Sequence, residues 1–208
     1  MIAKKEITDY LRSNIYEAIA AYTGWKILKS STSDGIVSLE TAERYVGIHN
    51  NYPDFFSQIE RAFLIQFVML SLHSFDRDNR TLSLYNIYKN ETEQFKFDNT
   101  DVLDKLYLLR DKLFAHRDRV LPTDILIPSI HELDQFFKKL INFYNTITLV
   151  VDRSNTIFSN AEDIKNDIEY VFMDLYRGDY YRKRVDQADF LWEKNSGKVS
   201  DVVRSVTK

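Results

Sequence analysis

The chain has 208 residues, which is enough for one globular domain and a small appendage. Five glycines and three prolines are too few for the frequent turns of β-sandwiches and β-barrels, and no two glycines lie close enough together to form a phosphate loop. The absence of cysteine excludes disulfide scaffolds, thiolate metal sites and cysteine nucleophiles. The net charge of −3 requires any nucleic acid to bind at a local basic patch. These counts indicate an all-α protein.

Apolar runs in the sequence are short. Residues 1–13 alternate charged and apolar positions, unlike the apolar core of a signal peptide. The most apolar run, residues 62–72, is interrupted by Gln66 and is shorter than the roughly 20 residues that span a bilayer. We therefore expect a cytoplasmic protein without a membrane partner.

Apolar spacing and capping residues divide the chain into about six long helices and one shorter helical piece. Ser38 is an expected N-cap, Pro53 is expected in the first turn of a helix, and Ser129 and Glu132 have capping-box spacing. The helix after Pro53 is apolar on nearly every face, which predicts a central position in a bundle. The predicted helices lie at about 4–28, 38–48, 53–75, 101–119, 129–151 and 159–178, with the shorter piece at 82–88.

Long helices joined by short connections favour antiparallel packing, so the predicted fold is an all-α, up-and-down helical bundle. The bundle is expected to occupy residues 1–178 as one domain. Residues 179–208 show no sustained apolar face at helical spacing and are predicted to form a C-terminal appendage.

An arginine interrupts the apolar stripe of the helix predicted at 101–119. At about 100° per residue, Arg110 falls between Leu106 and Leu113. A guanidinium at a core-facing position is costly unless a carboxylate, a phosphate or other acceptors meet it. His116 lies about 120° around the helix and roughly 9 Å along its axis from Arg110. The two side chains can act on one ligand if a second copy of the helix packs across a two-fold axis.

Basic residues surround this arginine. Five cations outnumber three aspartates over this stretch, so the flank is a candidate RNA- or phosphate-binding surface. Two structural explanations stay open, since Arg110 can also snorkel or pair with a buried acid, and His116 can cap helix carbonyls. The candidate phosphate-binding residues beside Arg110 are Lys105, Lys112, Arg117 and Arg119.

Residues 110–116, Arg-Asp-Lys-Leu-Phe-Ala-His, resemble the motif of the HEPN (higher-eukaryote and prokaryote nucleotide-binding) superfamily. That motif has an arginine, a polar residue, several further residues and a histidine. Residues 74–84 and 115–118 look like the abortive-infection U branch of the same superfamily. The predicted number and order of helices also match a HEPN bundle over roughly the first 175 residues.

The resemblance implies a homodimeric, metal-independent endoribonuclease without a cofactor, acting as a toxin or in phage defence. Arg110 would hold the phosphate and stabilise its developing charge, and His116 would transfer protons. Asp111 stands where the family most often has asparagine, and its carboxylate would orient the arginine or the histidine. RNA is the expected partner, together with an antitoxin or regulatory protein.

Other functions remain open from the sequence. A non-catalytic HEPN module would bind a nucleotide, RNA or a partner protein through Arg110 and the basic flank. The toxins that pair with a nucleotidyltransferase antitoxin usually carry a tyrosine two residues after the histidine; the residue here is Asp118, which disfavours that version. A structural helical dimer without a ligand is the third alternative.

Overall fold

The computed structural model describes residues 4–31, 38–111 and 127–206, with side chains described for 6–31, 38–111 and 127–187. Within these ranges the chain contains eight α-helices and no strand, which confirms the predicted all-α class. The elements are α1 (Lys4–Ser30), α2 (Leu39–Asn51), α3 (Pro53–His73), α4 (Leu84–Ile87), α5 (Lys89–Phe95), α6 (Thr100–Leu109), α7 (Ile130–Asp152), a 3-10 turn (Ser159–Glu162) and α8 (Ile164–Val206).

The predicted starts of α2, α3 and α7 are confirmed, and each is marked by residues within its own first turn. The Ser38 hydroxyl accepts the backbone N–H of Thr41 at 3.2 Å, and Pro53 occupies the first turn of α3. Ser129 and Glu132 form both halves of the capping box that begins α7. These starts depend on residues three positions apart, so the sequence carries the whole signal.

The core lies among α1, α3, α6 and α7, and α1 and α7 bury the longest apolar faces in it. Both helices bury a continuous apolar face, and they meet where the rings of Tyr22 and Phe137 stack with centroids 4.6 Å apart. Phe136 is fully buried, and its ring contacts Phe75 after α3 and Phe97 before α6 at 6.1 and 5.6 Å. This aromatic contact fixes both ends of the segment that joins α3 to α6.

Helix α3 is half-buried rather than central. Phe67 and Val68 are buried on the face that packs against α1, but the opposite face leaves Phe55 and Met69 51% and 45% exposed. The sequence prediction of a central helix was wrong in this respect. Among the described residues, Pro53–Ser74 is the one helix long and apolar enough to cross a membrane by length and composition, a test that core helices of water-soluble proteins also pass.

Helix α8 continues for 43 residues and passes straight through Gly178, where the sequence predicted its end. A glycine ends a helix when the backbone turns to positive φ, and no glycine in the described residues does so. The sequence also missed α5 as an element separate from α4. The division of the chain into a domain at 1–178 and an appendage at 179–208 stays a prediction.

His49 on α2 lies in a small second core. Its ring centroid is 4.4 Å from that of Phe56 and 5.4 Å from that of Phe172, and its Nε2 lies 3.4 Å from the hydroxyl of Ser31. Burial lowers the pKa of His49, although the carboxylate of Glu60 acts in the opposite direction. The folded protein therefore binds this proton less tightly than the unfolded chain does.

We expect the folded state to lose stability as the pH falls below 6.5, the ordinary pKa of the His49 imidazole. Above that pH the ring is neutral in both states, and below the lowered pKa the loss reaches its full size. In His49→Gln the melting temperature should therefore fall less than in wild type between about pH 7.5 and about pH 5. Thermal unfolding followed by circular dichroism measures this, with exposed His131→Gln as the control; equal losses in wild type and His49→Gln would contradict the assignment.

Candidate functional site

The predicted motif begins at the C-terminal end of α6. Val102, Leu106 and Leu109 are buried on the face that points to the core. At Arg110 and Asp111 the backbone changes to a wider, π-helical turn. Such turns are frequent at functional sites and alter the angular spacing of side chains. Arg110 itself keeps α-helical dihedrals and donates its backbone N–H to the Leu106 carbonyl, and 35% of its side chain is exposed.

The Arg110 guanidinium is held by two neighbours. Its Nε donates to Oδ1 of Asp111 at 2.8 Å, and its central carbon lies 5.0 Å from the ring centroid of Tyr107. This is the orienting role that the sequence allowed for Asp111. The two terminal amino groups have no partner among the described residues. They retain four N–H donors, a set that suits a phosphate.

A second arginine–tyrosine pair lies beside the first. The central carbon of the Arg77 guanidinium is 5.1 Å from the ring centroid of Tyr85, and Arg77 forms no ion pair within the described residues. Burial raises the pKa of Tyr107; the charges of Arg110 and Arg77 lower it, and that of Asp76 raises it. The charges of both arginines therefore act on the same hydroxyl, that of Tyr107. We call Arg77, Tyr85, Tyr107 and Arg110 the arginine–tyrosine cluster.

Hydrogen bonds within the α3–α4 loop hold Arg77 in place. The carboxylate of Asp76 accepts the backbone N–H of Asp78 at 2.9 Å and the hydroxyl of Thr81 at 3.1 Å. Asn86 on α4 donates to the carbonyls of Asp78 and Thr81 at 2.6 and 2.9 Å. An exposed guanidinium is thus presented from a braced loop. No sequence pattern marks Arg77 or Tyr85 as a site residue, although Arg77 belongs to the segment 74–84 that carries part of the family resemblance.

Lys105 has a structural contact. Its ammonium group pairs with the carboxylate of Glu132, which also accepts the backbone N–H of Ser129 at 2.7 Å in the capping box of α7. The hydrogen bond from Lys105, followed by those from Ser129, lowers the pKa of Glu132 to about 2. This exposed pair joins the middle of α6 to the start of α7.

The structure describes three of the seven predicted site residues. It places Arg110 and Asp111 in direct contact and Lys105 on the same helix, paired with α7. The other four lie outside the described residues, so their predicted roles stay predictions. They are Lys112, His116, Arg117 and Arg119.

A separate cavity of about 410 Å³ lies between α1, α7 and α8. At its wall the Lys26 ammonium donates to both carboxylate oxygens of Asp134 at 2.7 and 2.8 Å. The hydroxyl of Tyr22 donates to the same carboxylate at 2.7 Å, and burial raises the pKa of this tyrosine. These contacts satisfy the Asp134 carboxylate internally. The cavity shares no residue with the arginine–tyrosine cluster.

Glu132→Gln should destabilise the protein above about pH 4.5 and have a vanishing effect as the pH approaches 2. The folded state holds the pKa of Glu132 at about 2 against an ordinary value of 4.5, so the carboxylate stabilises the fold above 4.5 and loses that contribution as it is protonated. Melting temperatures at several pH values measure the effect. Glu93→Gln, an exposed position on α5, is the control. A difference from wild type that persists unchanged to about pH 2 would contradict the assignment.

The chain was also compared with known proteins. No protein-family model, no curated protein and no solved structure matches it. The HEPN resemblance therefore rests on the sequence alone: on residues 110–116, on the segments 74–84 and 115–118, and on the predicted number and order of helices.

Proposed function

We propose that this chain is a metal-independent endoribonuclease of the HEPN type, acting as a homodimer in phage defence or as a toxin. One observation carries the proposal: the Arg110 guanidinium is oriented by Asp111 and Tyr107, and within the described residues neither of its terminal amino groups has a partner. The family motif assigns phosphate binding to this arginine. A partly exposed guanidinium with free terminal donors can reach a phosphate without breaking a contact of the fold.

The chemistry needs a phosphate ligand and a proton carrier. The 2′-hydroxyl of RNA attacks the adjacent phosphorus and loses its proton, a 2′,3′-cyclic phosphate forms, and the departing 5′-oxygen gains a proton. Arg110 would neutralise the charge that builds on the phosphate oxygens. His116, six residues further along, suits proton removal or donation because its ordinary pKa lies near neutrality. A second copy would supply the second histidine.

The arginine–tyrosine cluster supports RNA as the substrate. Tyrosine rings stack on unpaired bases, and arginine guanidinium groups bind phosphates and stack on bases. Arg77 on its braced loop would contact a phosphate next to the one at Arg110, and Tyr85 lies directly under Arg77. The expected substrate is therefore a single-stranded stretch, where bases and backbone are both accessible.

The contact between Arg110 and Asp111 also favours a second candidate, a non-catalytic module that binds RNA or a nucleotide. The Asp111 carboxylate occupies Nε at 2.8 Å and repels a phosphate that approaches the same guanidinium. In that case the cluster would hold the ligand without cleaving it.

Purified protein should cleave single-stranded RNA in the presence of EDTA, and both Arg110→Ala and His116→Ala should reduce the rate by roughly 100-fold or more. The first variant removes the phosphate ligand and the second removes the proton carrier. A labelled oligonucleotide resolved on a denaturing gel measures the rate and shows whether the product ends in a cyclic phosphate. Arg44→Ala is the matched control, because Arg44 also lies over a tyrosine, 5.3 Å from the Tyr176 ring centroid, and pairs with Glu40.

Three outcomes separate the candidates. Cleavage that persists in His116→Ala, or that requires added divalent metal, would overturn the proposed mechanism. Binding without cleavage in wild type would favour the non-catalytic module. RNA binding that is unaffected by Arg110→Ala would show that Arg110 is not part of an RNA-binding site, which would overturn both candidate functions.

The cluster is tested separately by RNA affinity in the His116→Ala background, where the substrate stays intact. Arg77→Ala and Tyr85→Ala should each weaken binding, with the stacking tyrosine worth about 1–3 kcal/mol, or roughly 5- to 150-fold in Kd. Arg77→Ala should also flatten the dependence of affinity on salt, because one phosphate contact is lost. Fluorescence anisotropy measures both effects. Arg44→Ala and Tyr176→Ala form the matched control pair, and equal losses in the two pairs would refute a specific role of the cluster.

A further inference from the structure

Asp179 is the last residue of α8 with a buried side chain among those that the structure describes. This carboxylate is 5% exposed, and its Oδ1 accepts the hydroxyl of Tyr52 at 2.9 Å, while its other oxygen accepts the side-chain amide of Asn51. No residue from 180 to 187 is buried, and Val185 is 57% exposed. The helix nevertheless continues to Val206.

The part of α8 just after Asp179 gains little from the rest of the protein, because the described side chains of 180–187 are all exposed. Residues 180–206 extend for about 40 Å at 1.5 Å per residue. Helices in proteins depend mainly on packing of an apolar face, and glycine lowers their stability further; this stretch includes Gly197. A partner helix would supply an apolar face for residues 180–187 to pack against.

The sequence of this stretch carries a heptad repeat. From Tyr181 onward, eight positions recur at alternating spacings of four and three residues, which is the period of 3.5 that defines the a and d positions of a coiled coil. Four of the eight residues are valine, and three others are tyrosine, alanine and tryptophan. Asn195 is the remaining residue. The eight positions are Tyr181, Val185, Ala188, Trp192, Asn195, Val199, Val202 and Val206.

Charged residues occupy the opposite side of this register. They lie at positions b, c and f, which face away from the seam of a coiled coil. Phe190 at f, Leu191 at g and Val203 at e are the apolar departures from the pattern. The charged residues at outer positions are Lys183, Asp186, Glu193, Lys194, Asp201 and Arg204.

We propose that residues 181–206 of α8 form a parallel, two-stranded coiled coil with a second copy of this chain. Valine occupies three of the four a positions, where β-branched residues favour two strands, and Asn195 is a polar residue at a d position of the seam. In a parallel pair, position g of one heptad lies beside position e of the next heptad in the other strand. That places Arg184 beside Asp189 of the second copy, a pair of opposite charges. An antiparallel pair places g beside g and would bring Arg184 near other g positions instead.

This proposal does not rest on the ribonuclease. It uses the helix, the heptad positions and the charges of α8, and it holds whether or not Arg110 and His116 act on RNA.

The natural absence of cysteine allows a direct test on the full chain. Ala188→Cys and Val202→Cys each place one thiol at a d position, and Gln187→Cys and Asp201→Cys place one thiol at the adjacent c position. Equivalent d positions of a parallel pair face each other, within the reach of a disulfide. We expect mild oxidation to convert most of the protein to a covalent dimer of twice the 24.6 kDa chain mass in both d variants, and little of it in the c variants.

The result on a non-reducing gel decides between arrangements. An antiparallel pair brings a position beside itself at one point only, so crosslinking at 188 or 202 alone would overturn the parallel arrangement. Equal crosslinking at d and c positions, or none at either d position, would overturn the coiled coil. Melting temperatures of the reduced variants show that each has folded. Because these variants leave Arg110 and His116 untouched, loss of the crosslink and loss of RNA cleavage are distinguishable.

Discussion

The contact of Phe136 with Phe75 and Phe97 fixes the geometry on which the candidate site depends. Phe75 ends the α3 region and Phe97 precedes α6, so one fully buried ring on α7 holds both ends of the intervening segment. Arg77 comes two residues after Phe75, and Arg110 lies at the end of the helix that follows Phe97. Two guanidinium groups that are 33 positions apart in the sequence thereby approach the same tyrosine.

The repulsion between Arg77 and Arg110 explains why acidic and aromatic side chains lie near them. Two arginines near one another repel, and the fold offsets this with Asp76 and Asp111 and with the faces of two tyrosines. Asp76 is itself engaged by the backbone of its loop, and Asp111 engages only Nε of Arg110. Positive charge therefore remains available for an anion, although the protein as a whole carries a net charge of −3.

Local signals explain what the sequence could predict. The hydroxyl of Ser38, the ring of Pro53 and the Ser129–Glu132 pair act within four residues, and all three mark helix starts correctly. The helix end predicted at Gly178 was wrong, because a glycine ends a helix only when tertiary structure or the following residues favour a turn. The even 100° spacing holds as far as Arg110, whose backbone N–H bonds the carbonyl of the buried Leu106, but the side chain is long enough to be 35% exposed.

The sequence could not assemble the site, because its parts meet only after folding. Arg77 and Tyr85 have no periodic relation to Arg110, so no pattern along the chain connects them. The continuation of α8 into the predicted appendage was missed for a different reason: the apolar residues there repeat every 3.5 positions rather than 3.6, and Tyr181 and Asn195 weaken the pattern. A straight helical wheel spreads such a repeat over a wide arc, whereas a supercoiled pair keeps it on one seam.

The two proposals meet in the geometry of a dimer. In a parallel coiled coil both helical bodies lie at the same end, where α8 leaves Asp179; in an antiparallel pair the roughly 40 Å of helix after Asp179 would separate them. In a parallel pair the two motif segments belong to one assembly. Each segment is then present at a high effective concentration near the other. A HEPN-type site needs an arginine and a histidine from each copy. A coiled coil outside the bundle would hold two copies together and leave the interface between the two motifs free to open and close. RNA cleavage would then depend on the interface between the motifs rather than on the concentration of the protein.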